Sequence, residues 1–85
     1  MLTLEDCLGL SELTEEEILA IAEHEHIPEL AALEMGNYLV HAPHGEERIK
    51  GFIVEDIAVA REHGDMRHAA VLKRVLRHFC QEHHV

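Results

Sequence analysis

Four breaks cut this chain into segments of helical period, and they leave an all-α bundle as the fold it can adopt. Ser11 to Thr14 is a polar connection, Ile27-Pro28 interrupts a long apolar-periodic stretch, Pro43 and Gly45 flank a third break, and Gly64-Asp65 is the fourth. Between the breaks, apolar residues recur at three- and four-residue spacing rather than in alternation, which is the signature of helices and not strands. The start and stop chemistry agrees. Thr3-Leu4-Glu5-Asp6 and Thr14-Glu15-Glu16-Glu17 have the form of capping boxes, the second strengthened by three acids in the first turn beside the helix dipole. Ile27 precedes a proline and is pushed out of the helical region, whereas Pro28 suits the first turn of a new helix. Gly64 and Asp65 supply a C′ glycine and the next N-cap.

These signals predict helices over about 4–9, 15–26, 28–41, 45–63 and 66–83 in one domain spanning residues 1–85. The last two read as an antiparallel hairpin. Gly51 falls inside the fourth, where it weakens the helix or permits a close crossing. With no Trp, one Tyr and two Phe among 85 residues, the core has to be built from Leu, Ile, Val and Ala. At this length stability is modest, and a bound ion or a second subunit would add to it.

Charge is distributed unevenly. Residues 1–47 carry twelve acids and no Lys or Arg, a net of −12; residues 48–85 carry seven bases against five acids, a net of +2. The acidic half repels phosphate, which argues against a nucleic-acid reader even though a helix-turn-helix can be traced over 15–40. It favours a basic protein partner, a cation, or pairing between the halves within one chain or across a homo-oligomer. Acidic residues Glu15, Glu16, Glu23 and Glu29, set against a basic stripe of Arg67, Arg74 and Arg77, are the partner-binding candidates. Nine histidines add a pH dimension: protonating all of them would take the formal charge from −10 to −1.

No run is long and apolar enough to span a bilayer. Glu5 and Asp6 stand where an export signal carries a basic flank, so a cytoplasmic location is expected. Cys7 and Cys80 lack CxxC spacing and read as reduced thiols rather than a disulfide or a redox pair.

The chemistry-bearing candidates are polar residues found where the helical stripe calls for apolar ones. In the last helix the stripe is clean: Ala69, Leu72, Leu76, Phe79 and Cys80. In the second it is Ile18, Leu19, Ile21 and Ala22, continuing into Glu25 and His26. In the third, Leu30 and Leu33 share a face with Glu34, Asn37 and His41, and a second face carries Ala31, Met35, Tyr38 and Leu39. In the fourth, Asp56 interrupts Ile49, Phe52, Ile53, Ile57 and Ala60, and His63 closes the stripe. Glu25, His26, Glu34, His41, Asp56 and His63 thus give one acid and one imidazole per helix, a donor set suited to Fe, Mn or Zn. Against that stand satisfied polar groups, with an arginine of the last helix as a candidate partner for Asp56. Glu23-x-x-His26 is the lone match to the Glu-x-x-His signature of di-metal bundles. No glycine-rich loop or nucleophile elbow supports an enzyme. The expectation is therefore a small acidic, histidine-rich, non-enzymatic interaction or regulatory domain, with a carboxylate/histidine metal-binding bundle as the alternative.

Overall fold

Helix starts and stops follow the local chemistry closely. A computed structural model describes the chain from Thr3 to Val85, apart from the side chain of Cys7. Five helices succeed one another: α1 (Leu4–Leu10), α2 (Glu15–Glu25), α3 (Glu29–His41), α4 (Gly45–Glu62) and α5 (Met66–His83), with no strands among the described residues. Both capping boxes form: the Asp6 and Glu17 amides donate to the Thr3 and Thr14 hydroxyls, and the two acids accept from the threonine amides in return. Asp65 caps α5 through the His68 amide.

Pro28 sits one place earlier than expected. It is the N-cap of α3, with extended ψ, and its carbonyl accepts from the Ala32 amide to open the helix. The ends of α2, α4 and α5 share one device. The amides of Ile27, Asp65 and Val85 reach back to the carbonyls of Ala22, Ala60 and Cys80, and the residue before each amide is left-handed. Gly64 fills that role at the end of α4, but histidines fill it at the other two, with φ of 56° at His26 and 58° at His84. A left-handed non-glycine residue costs roughly 1–2 kcal/mol, so two of these three turns are strained where the third is relaxed.

The helices enclose one core. α2 and α4 each pack on the other three main helices, while α3 and α5 flank them. Ile18, Ile21, Ile49, Ile53 and Phe79 are fully buried, joined by Leu39, Leu33, Leu72 and Val75. Leu13, in the α1–α2 connection, also lies in the core. It stands at N′ of α2 and Ile18 at N4, the two positions of a hydrophobic staple.

The stripe of α3 differs from expectation. Its buried residues are Ala32, Leu33, Gly36 and Leu39, whereas Leu30 is 52% and Tyr38 71% exposed. A Cβ on Gly36 would crowd the Leu13 and Ile21 side chains, so the small residues of α3 are what let α2 come close. Leu19 of α2 likewise turns outward.

The glycines of α4 separate two roles. A Cβ at Gly51 would meet nothing, so the close crossing allowed for there does not exist. A Cβ at Gly45 would overlap the Leu39 backbone carbonyl. Gly51→Ala should therefore stabilise the fold by about 0.5–1 kcal/mol, and Gly45→Ala should destabilise it by about 1–3 kcal/mol, both read from urea unfolding. By the same measurement, His26→Gly should gain about 1 kcal/mol through relief of the left-handed strain.

Candidate functional site

The acids of α2 meet the bases of α5 within the chain. Glu16 accepts from Arg74 at 2.9 Å, buried Glu17 lies 3.2 Å from His78, and Glu23 lies 2.6 Å from His68. Glu17 is 1% exposed, yet both its carboxylate oxygens are used, one by the Thr14 amide at 2.9 Å and the other by the His78 imidazole. A buried carboxylate with both oxygens engaged is a stable feature, because the desolvation of its charge is met by hydrogen bonds.

Between the outer pairs runs a shallow apolar groove of about 140 Å³. Leu19, Ala20, Val71, Leu72 and Val75 form its floor, and Glu16, Glu23 and His68 stand at its edge. Leu19 is 47% exposed and Val71 37%, so each offers apolar surface to a neighbour.

Asp56, on α4, stands where α2, α4 and α5 meet. It is 5% exposed, and its Oδ2 has no hydrogen-bond partner among the described residues. Beside it His24 is stacked on Phe52, with ring centroids 4.3 Å apart, and contacts Glu55 at 2.6 Å. The charges acting on Asp56 are Glu23 and His24 from α2, Glu55 from α4 and His68 from α5. Burial is the largest influence and pushes the Asp56 carboxyl up to about 6; Glu23 and Glu55 push the same way, and the two imidazoles oppose them. The arginine expected to pair with it does not; the basic side chains acting on it are the imidazoles of His24 and His68.

A second carboxyl pair lies at the helix starts. Glu29, the first residue of α3, is held above its usual range chiefly by a hydrogen bond to the carboxylate of Glu15, with burial and the charge of Glu15 adding to it. At the open end of the α4–α5 hairpin, His83 stacks on Phe79 and contacts Glu46 at 2.5 Å. Exposed His41 pairs with Glu12 of the α1–α2 connection at 3.3 Å.

The six metal-ligand candidates do not come together. Only Asp56 is buried. Glu25 is half-buried, and His26, Glu34, His41 and His63 are exposed. No group of three or more His, Cys, Asp or Glu side chains with metal-holding geometry occurs among the described residues. The reason is helical phase: His26 leaves the helix at its left-handed cap, α3 buries the face of Ala32 and Gly36 rather than that of Glu34, and His63 lies beyond the last turn of α4. Of the partner-binding candidates, Glu16 and Arg74 pair with each other, Glu23 pairs with His68, and Glu15 lies against Glu29. Arg67 and Arg77 are exposed and form no ion pair among the described residues. Sequence reasoning passed over Glu17, His24, Glu55 and His68. Glu17 was legible only as a cap, and the pairing of the other three depends on helix order, which no local spacing encodes.

Cys80 is a free, half-buried thiol; the side chain of Cys7 lies outside the described residues. No described helix is long and apolar enough to cross a membrane. No family model matches the chain, and no curated protein or solved structure matches it.

Glu17 offers a test of the acid–imidazole architecture. Glu17→Ala should cost about 1–2 kcal/mol through loss of the cap and of the His78 contact. Glu17→Gln keeps an acceptor for the Thr14 amide and should lose less than half of that in thermal unfolding.

Proposed function

We propose that this chain is a small non-enzymatic interaction domain whose acidic half receives a basic partner, seated on the apolar groove between α2 and α5. One observation carries the reading: the groove combines exposed Leu19 and Val71 with carboxylates at both ends of its α2 wall, Glu16 and Glu23. Interfaces draw affinity from a few apolar anchors and specificity from charge at the rim. A helix presenting a leucine flanked by lysines or arginines matches that pattern.

The wider charge distribution supports it. Of the twelve acids in residues 1–47, Glu16 alone has a Lys or Arg partner among the described residues; Glu12, Glu17, Glu23 and Glu46 contact imidazoles of other elements. The acidic half is thus largely without a Lys or Arg counter-charge from its own chain, and available to fixed cations on another molecule. Self-association through acidic α2 and basic α5 is the weaker form of the reading, because Arg74 is already engaged with Glu16 in its own chain.

An amphipathic Leu/Lys helical peptide and its Leu/Glu counterpart are the probes, followed by chemical-shift perturbation at low salt. The basic peptide should shift Leu19, Val71 and their neighbours, bind more weakly as salt rises, and lose at least about tenfold in affinity, 1.4 kcal/mol, on Leu19→Asp. Equal binding of the acidic peptide, or indifference to Leu19→Asp, would sink the proposal.

A further inference from the structure

We propose that the junction around Asp56 is a proton-operated clasp, which draws the start of α5 onto α2 and α4 when the pH falls and relaxes it at neutral pH. The geometry is specific. Two imidazole–carboxylate contacts tie three helices together there: His68 to Glu23 joins α5 to α2, and His24 to Glu55 joins α2 to α4, each at 2.6 Å. Buried Asp56 lies within the field of all four groups, its Oδ2 unpartnered among the described residues. Phe52 stacks on the His24 ring and holds it against α4.

The charge states decide which way the clasp moves. At neutral pH Asp56 is an anion in an apolar setting, beside the carboxylates of Glu23 and Glu55, with Glu25 on the far side of the His24 ring. On acidification through about 6 Asp56 takes up a proton and loses its charge. Glu23 and Glu55 then face His68 and His24 across the helix boundaries without the Asp56 anion beside them. Loss of that buried charge strengthens the packing between α5, α2 and α4.

The sign follows from linkage. The folded-state value of Asp56, about 6, lies above the ordinary 3.8. Its contribution to stability is therefore full below the ordinary value and is lost as pH rises through about 6. Between those values the native state binds about one proton more than the unfolded chain, so stability falls with rising pH.

The clasp also bears on partner binding, and in that consequence it rests on the groove proposal. Glu23 and His68 belong both to the junction and to the groove edge. Tightening their contact removes Glu23 from the reach of an incoming cation, so a basic partner should bind better at pH 7.5 than at pH 5.5.

The test is urea unfolding of the full chain from pH 5 to pH 7.5, alone and without any partner. The wild-type midpoint should fall as pH rises. Asp56→Asn should be more stable than wild type at pH 7.5, and most of the pH-dependent fall should disappear. His41→Gln, which removes an exposed imidazole pair far from the junction, should keep the wild-type slope. A carbon-detected titration of the Asp56 carboxyl gives a second reading that does not depend on how well any variant folds, and its midpoint should lie well above the ordinary carboxylate range. An ordinary midpoint, or Asp56→Asn with an unchanged slope, would overturn the clasp and leave the groove proposal untouched. A sloped profile with no peptide binding at any pH would uphold the clasp and remove the groove.

Discussion

Every main helix of this fold has to make its peace with α2. That helix packs on α3, α4 and α5, and its buried residues Ile18 and Ile21 sit at the centre of the core. Burying one isoleucine fully is worth roughly 1.5–3 kcal/mol, a substantial part of what a domain of this size retains. The demand comes with a complication, because α2 is also the most acidic helix in the chain. Its opening acids suit the helix dipole and its capping box, so they cannot be exchanged for apolar residues without loss at the N-terminus. α5 resolves the conflict by placing Arg74, His78 and His68 opposite Glu16, Glu17 and Glu23. The amphipathic character of α5, clean on one side and basic on the other, follows from that need.

Imidazole, rather than guanidinium or ammonium, supplies most of the cross-helix counter-charge. A fixed cation would give contacts that are indifferent to pH across the physiological range. Histidine gives contacts whose strength varies over that range. Surface pairs contribute little individually, so exposed His41–Glu12 and His44–Glu47 add little to the fold. The contacts that matter energetically are the ones in partial burial: His24 over Phe52, His83 over Phe79, and His78 on the fully covered Glu17. In each, an aromatic stack or a satisfied buried acid fixes the ring before its charge state is considered.

Most of the fold was legible in the sequence, and the reasons it was are local. Thr3, Thr14, Asp65 and Gly64 announce helix ends through chemistry that acts over three or four residues, and the helices begin and end within a residue or so of where those signals fall. The facing of α3 was not legible in the same way. A hydropathy stripe gives weight to Leu30 and Tyr38, but the helix buries Ala32 and Gly36 because α2 lies too close for anything larger. Small residues at i and i+4 are a signal for such a crossing, and a weak one. The left-handed caps at His26 and His84 were hidden because histidine, unlike Gly64, gives no local hint of positive φ. The candidate ligand set is dispersed for a related reason: five of its six members lie at or beyond helix ends or on the exposed face of α3, where a stripe extrapolated from the helix interior no longer applies.

Asp56 is the exception that the periodicity placed correctly, and its retention needs a cause. A leucine or asparagine there would fill the same space without an ionisable group whose Oδ2 lacks a partner. Buried ionisable groups are weak contributors to stability when compared with apolar residues of similar volume. What Asp56 adds is dependence: it ties the contact between α2, α4 and α5 to the protonation of a single carboxyl, at the place where two imidazole–carboxylate contacts already join those helices. A purely structural acid would have been drawn toward one of the seven lysines and arginines, several of which stand unpaired on α4 and α5 among the described residues. Asp56 is instead set among two carboxylates and two imidazoles from all three helices, and that choice of neighbours is what distinguishes a responsive junction from a tolerated flaw in the core.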